Sequence, residues 1–100
     1  MDFRIVWTDP ALLDLEELVR FIAQDNTTAA ARVGDEIVDH VGILTAFPEI
    51  GPVYRRRSTG DVRQITVRPF RIFYRVRRVR KLVEILHIWH GARREPEDLA

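Results

Sequence analysis

The chain of 100 residues contains no cysteine. That excludes disulfide staples, thiolate nucleophiles and cysteine-ligated metals. Lysine is nearly absent too: Lys81 stands alone against fifteen arginines. The histidines are His40, His87 and His90, and no His/Asp/Glu group has metal-ligand spacing, so no metal and no cofactor is expected. No apolar run approaches the roughly 20 residues that cross a bilayer, so no membrane partner is expected. The opening segment MDFRIVWTDP lacks the apolar core of a signal peptide, which makes the cytoplasm the simplest placement. The two tyrosines, Tyr54 and Tyr74, both precede the last apolar segment.

What is present is a normal globular balance of 46% apolar and 31% charged residues, enough for one domain spanning 1–100. The net charge of +1 hides an asymmetry. Residues 1–50 hold three basic and ten acidic side chains, a net of −7; residues 51–100 hold thirteen basic and five acidic, a net of +8. Arginine's planar, permanently charged fork suits phosphates and carboxylates, so the second half is suited to an anionic partner: RNA, DNA or an acidic peptide. The alternative is a basic sheet neutralised by the domain's own acidic helices.

Hydrophobic periodicity divides the chain in two. A strand is expected over 2–7, where Phe3, Ile5 and Trp7 alternate. Asp9 as N-cap and Pro10 in the first turn open a helix over 10–24, with Ala11, Leu15, Leu18 and Ile22 on one stripe. The cluster Asp25-Asn26-Thr27-Thr28 recaps a second helix over 28–46, carrying Ala30, Val33, Ile37, Val41 and Leu44. Gly34 and Gly42 inside it suggest close helix contact. The short link predicts an antiparallel hairpin. Beyond Pro48 the period falls to two. After a loop with room for a short strand at Val53–Arg57, strands are expected over 62–68, 70–76 and 82–90, with a polar tail or short helix over 93–100. The expected fold is α+β: an N-terminal strand and an antiparallel helical hairpin packed on one face of a four-stranded, mainly antiparallel sheet.

Along nearly its whole length the chain resembles the RelE/ParE superfamily of toxins. The resemblance rests on the order of Ile22-Ala23-Gln24-Asp25-Asn26, Ala29-Ala30-Ala31, Phe47-Pro48-Glu49-Ile50-Gly51, Val62-Arg63-Gln64-Ile65, Phe70-Arg71-Ile72-Phe73-Tyr74-Arg75-Val76 and Glu84-Ile85-Leu86-His87-Ile88-Trp89-His90-Gly91-Ala92-Arg93. The long hairpin and the His-Gly-x-Arg ending are closer to the ParE-like branch. The resemblance implies the toxin of a type II toxin–antitoxin pair, forming a hetero-oligomer with a cognate antitoxin whose flexible C-terminal segment wraps it. It implies one of two targets: DNA gyrase, poisoned by binding, or the ribosome, where RelE-like members cut mRNA without a metal. A relic that only binds antitoxin is a third outcome.

Within that resemblance Arg71, Arg93 and His90 are the catalytic candidates if the chain is a nuclease. Arg63, Arg71, Arg75 and Arg93 are the candidates for binding. A guanidinium can stabilise the phosphorane formed when a 2′-hydroxyl attacks. Alternation puts Arg71, Phe73 and Arg75 on the face away from the helices, and Phe70, Ile72, Tyr74 and Val76 in the core. Arg63 falls with Ile65 and Val67, on the core side unless a strand start or a bulge near Pro69 relieves it. His87 and His90, three apart, point to opposite faces of an uninterrupted strand. The RelE-type nucleases use a C-terminal tyrosine and a lysine pair; both are missing here, as expected of a ParE-like chain.

Overall fold

The computed structural model describes residues 2–90. In chain order it contains β1 (Arg4–Trp7), α1 (Asp9–Ala23), α2 (Thr27–Gly42), a 3-10 turn (Ile43–Thr45), β2 (Val53–Arg55), β3 (Val62–Val67), β4 (Phe70–Arg77) and β5 (Leu82–His90). The strands form one mixed sheet in the order β1-β5-β4-β3-β2. Short connections make β2 to β5 antiparallel neighbours. β1 lies parallel to β5, with Arg4 opposite Leu82 and Trp7 opposite Ile85. The sheet therefore has five strands rather than four. The additional one is the three-residue β2, shorter than the expected Val53–Arg57.

Helix α1 starts at Asp9, one residue earlier than expected. Thr8, not Asp9, is the N-cap, and its Oγ1 accepts from the Ala11 N–H at 3.4 Å. The same hydroxyl donates to the Ile85 carbonyl at 2.7 Å, so it joins the helix start to the sheet. Asn26 caps α2 by accepting from the Ala29 N–H at 2.9 Å. Gly34 meets α1, where an added Cβ would stand 3.4 Å from Val19; Gly42 meets nothing and marks the passage into the 3-10 turn.

The helices cover one face of the sheet. Ala11, Ile37, Val41 and Leu44 pack on Phe70, Ile72, Tyr74, Val83, Ile85 and Ile88. Ile85 and Ile88 are three apart yet share this core, because the β4–β5 register shifts between Phe73 and Tyr74 and leaves Leu86 as the extra residue. β1 ends at Trp7, so the outer edge of β5 beyond Ile85 has no strand neighbour. Asp14 of α1 covers it: one carboxylate oxygen accepts the Ile88 N–H at 3.0 Å and lies 3.1 Å from His87 Nδ1. A side chain thus closes an edge that would otherwise be open to another strand.

Candidate functional site on the outer sheet face

Alternation along β4 turns Arg71, Phe73, Arg75 and Arg77 away from the helices. Their partners in the sheet are Val62, Gln64 and Thr66 of β3, and Leu82, Glu84, His87 and Trp89 of β5. This face holds its own small core. Phe73 is fully buried with Val62 and Leu86, and Tyr54 and Trp89 pack against them. The Tyr54 and Phe73 rings lie 4.9 Å apart.

Arg71 sits on that cluster. Its guanidinium carbon is 5.2 Å from the Tyr54 ring centre and 5.1 Å from that of Phe73, and its Nε donates to Gln64 Oε1 at 3.0 Å. Stacking on two rings plus one fixed hydrogen bond restricts a side chain that otherwise carries large rotamer freedom. Tyr54 and Trp89, the cross-strand partner of Arg71, adjoin it. Among the described residues, Tyr54 Oη and Trp89 Nε1 are buried without a hydrogen-bond partner.

Arg75 is almost wholly buried, and its Nε donates to the Gly60 carbonyl at 3.0 Å. Burial, then the charge of Arg77, push it below the usual arginine range, while Glu84 pulls it back. Arg77 Nε donates to Glu84 at 2.8 Å.

The expected site residues do not all converge. Arg71 and Arg75 lie on the outer face. His90 pairs with Phe70 on the helical face, their rings edge to face at 5.6 Å, so the sheet itself separates His90 from Arg71. His87 and His90 take opposite faces as expected, both lying after the bulge at Leu86: His87 is the cross-strand partner of Phe73, at the edge where its Nδ1 lies 3.1 Å from Asp14 of α1. Arg63 is on the helical side beside Tyr74, not on the outer face. Its Nη1 donates to the Gly51 carbonyl at 2.8 Å, and Nη2 lies 3.7 Å from Glu49, so it anchors the loop before β2. Arg93 lies outside the described residues. No group of three His, Cys, Asp or Glu that would hold a metal occurs among the described residues. The residues that sequence reasoning missed are Tyr54, Gln64 and Trp89. Gln64 was accessible from the register of β3 against β4; Tyr54 was hidden by the irregular loop.

The buried Tyr74 hydroxyl completes the anchor by accepting the Gly51 N–H at 2.9 Å. Burial raises its pKa, outweighing the Gly51 hydrogen bond and the charge of Arg63. A raised phenol pKa stabilises the fold below the unfolded value of about 10, and that contribution is lost as pH rises from there through the folded value. Urea unfolding is therefore expected to show stability falling above about pH 10. Tyr74→Phe should flatten this alkaline limb while costing about 1–3 kcal/mol at neutral pH, because the Gly51 N–H loses its acceptor. An unchanged alkaline limb in the variant would assign it elsewhere.

A helical hairpin on one face of a mixed five-stranded sheet, with an arginine on an aromatic bed on the other, defines a small α+β domain. Solved structures share the fold. One chain of the P. aeruginosa chromosomal ParDE system superposes with a TM-score of 0.71 at 25% identity, covering 88% of this chain and 95% of that one. The RelBE2 toxin–antitoxin complex of Mycobacterium tuberculosis gives 0.68 at 22% identity, over 90% and 99%. The archaeal RelE–RelB complex of Pyrococcus horikoshii gives 0.68 at 16%, over 94% and 100%. A Sinorhizobium fredii protein named "Putative toxin Y4kP" is 36% identical over 96 residues, 96% of either chain. Residues 5–95 match the family described as ParE toxin of the type II toxin–antitoxin system, parDE. The chain belongs to that ParE toxin family, and it is the toxin component of a type II system.

Proposed function

We propose that this toxin acts by binding DNA gyrase rather than by cutting RNA, and that a cognate antitoxin holds it inactive in a hetero-oligomer. The observation that carries the reading is the separation of Arg71 from His90 by the sheet. Acid–base cleavage of RNA needs a proton-transfer group within hydrogen-bond reach of the reacting atoms, beside the guanidinium that stabilises the phosphorane. The outward positions of β3 beside Arg71 are Val62, Gln64 and Thr66, none of them cationic, and His87 of β5, opposite Phe73, is engaged by Asp14 of α1 at the sheet edge. An arginine on an aromatic bed, its Nε held by Gln64, suits recognition of a protein surface, where anchors of this type dominate affinity.

The antitoxin has a separate apolar surface to use. A groove of about 340 Å³ lies between the end of α2 and the loop before β2, lined by Ile43, Leu44, Ile50, Pro52 and Ile65, with Phe47 exposed near it in sequence. The parDE family and the solved toxin–antitoxin complexes support such a partner.

Uncontrolled expression should block DNA replication and induce DNA damage before translation falls. Purified toxin should inhibit gyrase supercoiling, and antitoxin should relieve it. His90→Ala should leave toxicity largely intact, since no proton transfer is required. Prompt mRNA cleavage at ribosomal A sites, abolished by His90→Ala or Arg71→Ala while gyrase stays active, would replace this reading with the ribosome-dependent endonuclease. Loss of both activities with antitoxin binding retained would identify a relic.

A further inference from the structure

Neither the fold nor the Arg71 site accounts for the end of the sheet where β4 turns into β5. The turn 78–81 lies there, beside the loop 56–61 that joins β2 to β3. The two are tied together: Arg75 donates to the Gly60 carbonyl, and Arg77 Nη1 donates to that of Thr59. β1 begins at the same end, where the Arg4 N–H donates to the Lys81 carbonyl at 2.9 Å. Charge runs that are separate in the chain thus line one end of the sheet. Arg4, Arg56, Arg57, Arg78, Arg80 and Lys81 are all exposed there. Asp61 answers Arg56 at 3.2 Å and Glu49 answers Arg78, but among the described residues no ion pair involves Arg57 or Arg80. The acidic side chains are concentrated on the helical layer, where α1 and α2 carry seven acidic residues against two arginines. The molecule is therefore polarised, although its net charge is only +1.

We infer that this arginine-rich end binds the backbone phosphates of duplex DNA without reading sequence. The chemistry favours a polyanion, because a row of exposed cationic side chains along one end of the sheet is stabilised most by closely spaced phosphates. A single-stranded RNA is disfavoured, since such strands are gripped by stacking bases on exposed aromatic rings. Here the Phe3 ring is covered by Lys81 at 5.3 Å, and Tyr54 is covered by Arg55 and Arg71. The strongly exposed Phe21 and Phe47 belong to α1 and to the segment after the 3-10 turn, on the helical side. The inference rests on the gyrase reading only for its setting: the duplex would be the one the enzyme holds, and contact with it would add to contact with the protein.

The test is direct binding of purified toxin to a labelled duplex of about 20 base pairs, followed by fluorescence anisotropy over about 50–200 mM salt. With about four phosphates neutralised, affinity should fall on the order of 100-fold across that range. The triple variant Arg56→Gln, Arg57→Gln, Arg80→Gln removes three exposed charges. It should bind more weakly, and its fall over the same range should shrink to less than about tenfold. Lysine at the same three positions should restore the wild-type salt dependence, because charge and not fork geometry is at issue. Arg20→Gln with Arg32→Gln, on the helices, should change neither. The inference is overturned by no duplex binding at the lowest salt, by a triple variant with wild-type salt dependence, or by tighter binding of a single-stranded RNA of equal length. Supercoiling inhibition is measured separately: toxin that inhibits gyrase but ignores duplex DNA sinks this inference alone, and toxin that binds duplex DNA but spares gyrase sinks the gyrase reading alone.

Discussion

Phe73→Ala should destabilise the fold by about 3–5 kcal/mol, although Phe73 points away from the helices. The ring is wholly buried between Val62 and Leu86 with Tyr54 laid across it, so truncation leaves a cavity that neighbouring strands cannot collapse to fill. A small domain has about 5–15 kcal/mol in total, so the variant should melt many degrees lower. It also removes one of the two rings beneath the Arg71 guanidinium. The control is Phe47→Ala, at a ring that is 61% exposed, where a change within about 0.5 kcal/mol is expected. Chemical denaturation of both variants decides the matter. Similar small losses would mean that the outer face is a solvated surface and that its apolar cluster contributes little.

The same residue marks the limit of what the sequence shows. Both helices, their antiparallel pairing and the three long strands were legible, because each helix carries a period of 3.6, β3 and β4 a period of 2, and β5 a continuous apolar run. Alternation also placed Arg71 and Arg75 correctly on the outer face. It then classed Phe73 as exposed with them, since period tells which face a side chain takes and not what covers that face. The cover comes from Tyr54, on a three-residue strand inside a loop rich in proline and glycine, and from Leu86, an extra residue in β5. A bulge has no compositional signature here, and it shifts every later position. That is why His90 falls on the helical side with Phe70, and why Ile85 and Ile88 share one core. Arg63 shows a different limit: alternation put it correctly on the core side, but the carbonyls that accept its protons belong to residues 49 and 51, a dozen or more positions away. The parallel pairing of β1 with β5 is likewise a contact between chain ends that no local pattern reports.

Gly51→Ala is expected to cost about 1–3 kcal/mol or more and to loosen the loop before β2. An added Cβ would fall inside van der Waals contact of the Gln64 carbonyl oxygen and would stand 2.7 Å from the buried Tyr74 hydroxyl. Neither neighbour gives way easily. The Gln64 carbonyl belongs to β3, whose register is held by β4 along its whole length, and the Tyr74 ring is locked in the main core. The loop must therefore move instead. Moving it breaks the Gly51 N–H bond to Tyr74 and the Arg63 bond to the Gly51 carbonyl, and leaves a buried hydroxyl and a half-buried guanidinium short of partners. β2 follows directly, so Tyr54 should lose its fixed place over Phe73 and Arg71. The variant should accordingly lose stability and target binding together. Gly34→Ala is the useful comparison, because its Cβ would make an ordinary contact 3.4 Å from Val19 and the exchange gains helix propensity. Thermal melts and amide exchange of β2 would measure both. A Gly51→Ala protein with wild-type melting and full protection in β2 would show that the loop relaxes without cost, and that Tyr54 is held by its ring contacts alone.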